Sequence, residues 1–546
     1  MPDEAAKRVI ATLEGMKTGR STWDSHWQEI SDVIFPLALH FTRFEHPGAK
    51  AHDKIFDSSG EQAGEMLAGA LLGFLVSPDR PWFSLKAADD DLNADDEVAS
   101  WLADATRRML KMFNRPKSGF YPTQHEKYMD LVNFGTGGQF IAERPGLGPR
   151  FLGRPLAQLY LRENADGEVD TVYRHYKLKA HQALQAFGAA AGPQAVKKAE
   201  KPKTAEDTFE FIHAVEPRRK RNTARLDPRN MAFASWTVNL TERHTVRESG
   251  FREMPLATPR WFRRYGENYG RGPGSKALAD VKMLQRSMKV TIRGTEKIVD
   301  PPLQVADDGV LAPIRMTPSG LNFVRPDLLQ SQGGGIRPVI TGARPDLGEA
   351  FMEGVRVRID GAYFKPLLQL SRDPRMTASQ FLGLQQEALQ ILSPFLGRLQ
   401  TEDLGPVIDR TFAIMLRQGM FLPVPARLAE AELEVEYLSP VARAQRLEEA
   451  RGVSSTLELM APLIERQPEI LDNVDSDATF RFVADTLNWP RDTFRALEVV
   501  RQMRQARTEE RAQQEQIAAA GDIAQAVGRA APALELLQGG AEREAA

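Results

Sequence analysis

Residues 275–292 read SKALADVKMLQRSMKVTI, and residues 346–364 read DLGEAFMEGVRVRIDGAYF. Apolar side chains recur at helical spacing in both stretches, which is typical of helices with one buried face. The members of the two stripes are Leu278, Val281, Leu284, Met288 and Ile292 (with Gln285 beside them), and Leu347, Phe351, Val355 and Ile359. The sequence therefore predicts two amphipathic helices, at about Ser275–Ile292 and Asp346–Phe364.

The segment between these helices, Gly294–Arg344, has a different character. It is rich in proline and contains three consecutive glycines, which break any long helix or strand. Among these residues are Pro301, Pro302, Pro313, Pro318, Pro326 and Gly333-Gly334-Gly335. We expect short strands and turns, so that two helices flank a compact irregular unit.

The N-terminal half divides into a helical part and a strand-rich part. From Glu4 to about Met112 the apolar residues follow a helical period, whereas from Phe151 to Trp261 they alternate as in strands. The Ala-, Lys- and Pro-rich run Ala189–Thr204 predicts an exposed connection within the strand-rich part.

The C-terminal part is mainly helical. A long helix is predicted from Thr377 to Gly419, with a capping box at its start and kinks at Pro394 and Pro406. A strand follows at Leu433–Leu438, and helices resume from Pro440 to about Ala512. Residues 513–546 are rich in Ala, Gln and Glu, and we expect a mobile tail or a frayed helix there.

Composition limits the function classes. The 546 residues include 42% hydrophobic and 26% charged residues, with a net charge of -2 and no cysteine. A chain of this length should form several packed units. The near-neutral charge means that any DNA contact must be local, and the lack of cysteine excludes disulfides and thiolate chemistry. The longest apolar stretch, Met66–Val76, is too short for a membrane span.

No catalytic, cofactor or metal site is predicted. Gly270-Arg271-Gly272-Pro273-Gly274-Ser275-Lys276 departs from the phosphate-binding loop pattern in its spacing, and the nine histidines form no HxxxH or HExxH pair. The acidic run Asp89-Asp90-Asp91 is interpreted as a solvated helix start. Two aromatic pairs, Trp23 with Trp27 and Trp82 with Phe83, could be interface anchors but fit a core better.

Three groups of motifs carry a family resemblance. The first is Ser77-Pro78-Asp79-Arg80-Pro81-Trp82-Phe83 with Phe134-Gly135-Thr136-Gly137. The second is Pro259-Arg260-Trp261-Phe262 leading into Tyr269-Gly270-Arg271-Gly272-Pro273. The third runs from Pro374-Arg375-Met376-Thr377 through Leu392-Ser393-Pro394 to Glu436-Tyr437-Leu438-Ser439-Pro440. In order and spacing the chain resembles the head-to-tail connector (portal) family of short-tailed, podovirus-type bacteriophages.

This resemblance implies an α+β, predominantly helical portal fold whose subunits form a ring. Carried onto this sequence, the parts are as follows: wing at 1–270, first stem helix at 271–293, clip at 294–345, second stem helix at 346–364, channel loop at 365–376, long kinked helix and returning wing strand at 377–439, crown at 440–512, and a tail at 513–546 that is disordered or forms a helical barrel. Ala378-Ser379-Gln380-Phe381 departs from the family, which more often has an acidic residue there.

The implied function is a conduit for double-stranded DNA during packaging and ejection, in a ring of twelve subunits at the capsid vertex. The implied partners are the major capsid protein, scaffold, the terminase large subunit and tail adaptor or nozzle proteins. The implied location is the virion, and the host cytoplasm during assembly. Two alternatives stay open: another head-tail adaptor or assembly ring, and, less favoured, a DNA-processing enzyme.

Three basic residues are candidates for DNA contact in the channel loop: Lys365, Arg372 and Arg375. In a ring, a loop that carries them would place positive charge around the lumen, where transient phosphate contact is expected. The alternative is that they are ordinary solvated charges beside the cluster of Leu367, Leu368 and Leu370.

Overall fold

A computed structural model describes residues 3–43, 46, 48–93, 95–225, 227–306, 317, 320–324, 337–338, 345–368, 391–428, 431–438, 440–486, 495 and 499–514. The chain divides into two compact units. The first comprises Met1–Ser84, Ala105–Leu422 and Val435–Gln445, and the second comprises Leu85–Asp104, Pro423–Glu434 and Arg446–Ala546. Helices predominate among the described residues, and the predicted α+β, mostly helical class is confirmed.

The helices are α1 Glu4–Val33, α2 Ser59–Leu75, α3 Asp90–Asn93, α4 Asp96–Phe113, α5 Phe120–Phe134, α6 Ala180–Phe187, α7 Pro193–Ala199, α8 Pro273–Val299, α9 Pro345–Ala362, α10 Lys365–Leu368, α11 391–399, α12 Gly405–Arg417, α13 Pro440–Arg466, α14 Ser476–Thr486 and α15 499–514. The strands are β1 Phe83–Ala87, β2 Gln139–Arg144, β3 Gly148–Gly153, β4 Leu159–Glu163, β5 Val169–Lys179, β6 Thr208–Pro217, β7 Phe233–Asn239, β8 His244–Phe251, β9 Leu256–Ala257, β10 Leu303–Ala306, β11 Leu321–Val324, β12 Arg337–Pro338 and β13 Leu433–Tyr437.

A five-stranded sheet in the order β4-β5-β6-β7-β8 forms the strand-rich part of the first unit, and all its neighbouring strands are antiparallel. Helix α1 packs on one face through Val9, Leu13 and Met16, which meet Tyr173 and Ile212. Since successive strand residues point to opposite faces, the neighbouring Phe211 lies on the other face. The sheet is therefore covered on both sides.

The second face of this sheet is covered in part by the run Ala189–Thr204, which was predicted to be an exposed connection. The run Ala189–Thr204 is not simply an exposed connection, because it contains α7 and buries Ala191 and Ala195 against Phe209 and Phe211. Alanine side chains are small enough to let a short helix approach the sheet closely, so composition alone made the segment look like a linker. The prediction of an exposed connection is wrong for these residues.

Two aromatic clusters hold the helical part of the first unit. Trp27 is fully buried, and its indole N–H donates to the carbonyl oxygen of Phe134 at 3.1 Å. Trp82 stacks on Phe120 with ring centroids 6.0 Å apart, and Phe83 is fully buried beside it. The interpretation as core is confirmed for Trp27, Trp82 and Phe83, whereas Trp23 is half-buried beside Trp27 and Tyr269.

Smaller sheets were partly missed by the sequence pattern. Strands β3, β2 and β9 form one sheet, and β1 pairs with β13 in another. The predicted strand-rich part began only at Phe151, and the first hundred residues were predicted to be largely helical. Strands β1 to β3 have five or six residues each, which is too short for a two-residue period to stand out.

Helix α8 extends beyond its predicted end at Ile292 and includes residues 294–299 of the segment Gly294–Arg344. The described residues after it include a three-stranded sheet, in which β10 pairs with β11 in parallel and with β12 antiparallel. This agrees with the expectation of short strands. Most of the remaining predicted clip residues lie outside the described part of the chain. The same holds for the predicted helix start at Thr377 and for the tail after residue 514.

The second unit is built mainly from helices α13, α14 and α15. Exposed ion pairs join its segments, with Arg427 2.6 Å from Asp95 and Arg481 2.7 Å from Asp96. Ion pairs in solvent contribute little each, about 0–1 kcal/mol. They orient the segments more than they stabilise them.

Candidate subunit-contact surface and channel segment

The two predicted helices, α8 and α9, form a helical hairpin whose base is fixed by close backbone contacts. Gly135 has φ 91°, and a Cβ atom there would lie 2.4 Å from the Gly270 oxygen and the Gly272 nitrogen. Pro273 then takes the first position of α8, where a missing N–H costs nothing. The glycines that superficially suggested a phosphate loop thus allow α8 to start directly against α5.

A polar clamp holds the lower half of the hairpin. The Gln285 side chain accepts from the backbone N–H groups of Phe56 and Asp57, at 2.7 and 3.0 Å. Arg356 on α9 donates two hydrogen bonds to one carboxylate oxygen of Asp57, at 3.0 and 2.8 Å. The segment that precedes α2 therefore connects both helices to the rest of the first unit.

Between the two helices, the contacts are apolar at the base and looser above it. Val281, Leu284, Val355 and Ile359 are buried, and Arg358 pairs with Asp280 at 3.1 Å. Further along, no described residue of α8 after Gln285 is buried. The upper part of the hairpin thus projects from the packed base.

Several large apolar side chains on the hairpin are exposed. Val290 and Val357 have 62% of their surface accessible, and Phe351 has 51%. Ile292, Ile298 and Val299 are exposed as well. Phe351 and Ile292 belong to the two predicted apolar stripes and are exposed in the single chain, because helical periodicity shows that a face is apolar but not what covers it.

The candidate DNA-contact residues lie just after α9. Lys365 begins the short helix α10, and its ammonium group pairs with both carboxylate oxygens of Asp360, at 2.9 and 2.8 Å. Phe364 before it has φ 57°, a strained value for a residue with a Cβ atom. Arg372 and Arg375 lie outside the described residues.

The first unit also contains a buried ion pair, which sequence reasoning missed. Lys127 on α5 contacts Asp403, both side chains being fully buried, and Gln124 donates to the same carboxylate at 2.8 Å. Burial lowers the pKa of Lys127, although Asp403 opposes this shift. A pair separated by 276 positions leaves no local signal in a sequence.

Asp403 lies in a π-helical turn, Gln400–Leu404, between α11 and α12. The Gly405 N–H donates to the carbonyl oxygen of Gln400, which is the five-residue spacing of a π-helix. Pro406 follows at once, and since it has no N–H and its ring crowds the preceding turn, a wider turn relieves the conflict. The predicted kink at Pro406 is therefore present as a π-turn.

The neighbouring residue, Glu402, binds a second buried cation. Arg260 donates to Glu402 through Nε and Nη2, at 3.0 and 2.7 Å, and also pairs with Glu163 on β4. Burial alone would lower the pKa of Arg260, but Glu402 and Glu163 outweigh it and raise the pKa. Arg260 belongs to the motif Pro259-Arg260-Trp261-Phe262, but the motif does not indicate that its side chain links the sheet to the π-turn.

The described residues show few features of other kinds of site. Within them, no group of three or more His, Asp or Glu side chains is placed to hold a metal ion. No helix in that part of the chain combines the length and apolar content that a membrane span requires. The buried charges join chain segments, and the exposed apolar side chains lie on a projecting hairpin. These features are typical of a structural protein.

Comparison with known proteins agrees with this class and makes it specific. The family model described as bacteriophage head to tail connecting protein matches residues 6–494, and the chain belongs to this family. It is 30% identical over 496 residues to a "Probable portal protein" of Bordetella phage BPP-1, covering 89% of this chain and 88% of that protein. It is also 30% identical over 547 residues to a "Portal protein" of Salmonella phage epsilon15, covering 98% and 97%.

The predicted family is thereby confirmed. Membership assigns the chain the function of a phage portal, or head-to-tail connector, and places it among the structural components of the virion at the capsid vertex. Among solved structures, one titled "Virion of native gene transfer agent (GTA) particle" matches with a TM-score of 0.34 and 10% identity, over 73% of this chain and 86% of that one. At this TM-score the likeness carries no argument about the fold.

Proposed function

We propose that twelve copies of this chain form a ring through which double-stranded DNA is packaged and ejected. The observation that carries the proposal is the hairpin of α8 and α9, anchored at its base and exposing Val290, Val357 and Phe351 above it. Apolar surface of this kind is stabilised when a neighbouring copy covers it, by about 25 cal/mol per Å² removed from water. In a ring, each hairpin would lie between two others.

Within this ring, each subunit would consist of a wing, stem, clip, channel loop, crown and tail. The stem would be α8 and α9, the wing would include the five-stranded sheet with β13, and the clip would follow α8. The major capsid protein, scaffold, terminase large subunit and tail proteins would bind the outer parts of the ring. Assembly in the host cytoplasm would precede incorporation into the virion.

DNA contact at the channel segment should be weak and transient. The pairing of Lys365 with Asp360 supports this, because a cation already neutralised by a carboxylate gains less from a phosphate. Arg372 and Arg375 would add positive charge to the same segment. A conduit needs such weak contacts, since tight static binding would resist movement of the DNA.

The ring proposal is tested by a double substitution on the hairpin, Val290→Asp with Val357→Asp. Charges on these side chains would be desolvated in a subunit contact, so we expect loss of rings in negative-stain images and a subunit-sized mass in solution. Leu147→Asp, in the turn between β2 and β3, is the matched control, because Leu147 is 61% exposed.

The control should form rings as the wild type does. All variants should keep the helical circular dichroism signal, since exposed substitutions change stability by only about 0.5 kcal/mol. Intact rings in the hairpin variant would contradict the proposed contact. A monomeric wild-type protein would contradict the ring itself.

A further inference from the structure

The loop between β6 and β7 carries a dense basic sequence, RRKRNTAR, at residues 218–225. Arg219, Lys220 and Arg221 are consecutive and exposed, and within the described residues none of them forms an ion pair. Arg218 differs, because it is largely buried and binds Glu248 at 3.3 Å and the Ser249 carbonyl oxygen at 3.0 Å. One arginine thus anchors the loop, and the next three cations face solvent.

The loop is ordered by its own hydrogen bonds rather than by burial. The Arg218 N–H donates to the carbonyl oxygen of Ala232 at 2.8 Å, and the Asn222 N–H donates to the Asn230 side chain at 2.8 Å. Asn222 in turn accepts from the Ala224 N–H at 3.0 Å. The cations are therefore presented on a preorganised loop, which lowers the entropy lost when they bind a ligand.

The positive surface continues into an adjoining cleft of about 740 Å³, which Arg162, Arg219 and Lys220 help to line. Arg162 is exposed at a β-bulge of the edge strand β4. Of the carboxylates that border the cleft, Glu163 pairs with Arg260 and Arg263, and Glu216 pairs with Arg8 and accepts from the Tyr173 hydroxyl. Asp170 accepts from the Thr171 hydroxyl and keeps its charge, so five basic side chains line the cleft against three carboxylates. Arg162, Arg219, Lys220 and Arg221 make up what we call the basic patch.

We propose that the basic patch binds the phosphate backbone of double-stranded DNA on the sheet of the first unit, outside any channel. Residues 219–225 offer cations together with Asn222 and Thr223, which are the donors that phosphate contacts use. They include no large apolar side chain, and the aromatic residue that lines the adjoining cleft, Trp236, has Arg8 over its ring. The surface thus offers cations and polar donors rather than the buried aromatic anchors that are common in protein interfaces. The inference does not depend on DNA passing through a ring, because it concerns static binding to this surface.

The test is equilibrium binding of a short, mixed-sequence DNA duplex to the full-length protein, followed by fluorescence anisotropy over a range of salt concentrations. The triple variant Arg219→Gln, Lys220→Gln, Arg221→Gln removes three potential phosphate contacts. Each contact contributes about 0.9 to the slope of log K against log salt, so the slope should shrink by about 2.7. At ~0.15 M salt this corresponds to a loss of affinity on the order of 100-fold.

The matched control neutralises three other exposed lysines of the same unit: Lys197→Gln, Lys201→Gln and Lys203→Gln. These lysines do not border the cleft beside the basic patch, so the control should keep the wild-type affinity to within a few-fold. Equal loss in both variants would mean that only net charge matters, and would overturn the proposal. Wild-type affinity in the triple variant at Arg219, Lys220 and Arg221 would also overturn the proposal.

A second probe separates DNA from an acidic protein. Poly-glutamate of the same total charge should bind more weakly than the duplex, because it lacks the phosphate spacing of B-DNA. Equal or tighter binding of poly-glutamate, lost in the Arg219 variant, would assign the basic patch to a protein partner and reject DNA. If the basic patch does not bind DNA, the ring proposal is unaffected, because ring formation is tested separately by imaging the hairpin variant.

Discussion

Replacing Lys127 by methionine should strongly destabilise the first unit. Lys127 and Asp403 are both fully buried, and the Lys127 ammonium also donates to the Gln139 side-chain oxygen at 3.1 Å. In the Lys127→Met variant, the Asp403 carboxylate keeps the hydrogen bond from Gln124 but loses its cation. Breaking a buried pair from one side costs about 3–5 kcal/mol. That cost is equivalent to a 10²- to 10⁴-fold fall in the folding constant, at about 1.4 kcal/mol per tenfold.

The companion variant removes both charges, as Lys127→Met with Asp403→Leu. Desolvation of two ions offsets much of their attraction, so the double variant should recover most of the loss and unfold within about 1–2 kcal/mol of the wild type. The assay is denaturant unfolding of both variants and of Asp403→Leu alone, with hydrogen exchange of α5 as a local measure. Together these proteins form a double-mutant cycle.

Two outcomes would refute this reasoning. Lys127→Met within about 1 kcal/mol of the wild type would mean that the carboxylate is solvated or protonated without serious cost. A double variant as unstable as the sum of the single variants would mean that the two side chains are not coupled.

Three further predictions follow from the same unit. Gly135→Ala should destabilise by several kcal/mol and loosen the base of α8, because a Cβ atom there meets the backbone of Gly270 at a positive φ; thermal unfolding measures this. Arg356→Met should cost about 1.5–3 kcal/mol by removing two hydrogen bonds to the Asp57 carboxylate, and should speed hydrogen exchange in α9. Burial and neighbouring arginines lower the pKa of His213 to about 3, so the unfolded chain binds more protons as the pH falls from about 6.5. The free energy of unfolding of the wild type should therefore decrease as the pH is lowered from about 6.5 towards 3. The variant His213→Gln should show a weaker dependence of the melting temperature on pH.

Much of the secondary structure was predictable because it repeats locally. The periods of α1, α2, α8 and α9 extend over four or more turns, and proline and glycine mark their ends. Strands of five or six residues, such as β1 to β3, and the short helix α7 lack such repetition. For these elements, contacts with distant residues decide the conformation.

The candidate surface was predictable only in part. Two apolar stripes indicated the paired helices, but the burial of Val355 and the exposure of Phe351 depend on where the hairpin leaves the packed base. The basic loop at 218–225 was visible as a charge run and was overlooked, because only the structure shows that Arg218 is engaged with Glu248 while the next three cations face solvent.

The amino-acid sequence by itself determined the mostly helical class, the two amphipathic helices and the family, because periodicity and ordered motifs are properties of neighbouring residues. The tertiary structure decided which charges are buried together, as with Lys127 and Asp403, and which apolar side chains remain uncovered, as with Val290. The physical reason is that burial and ion pairing depend on distances in space, and residues hundreds of positions apart come together only when the chain has folded.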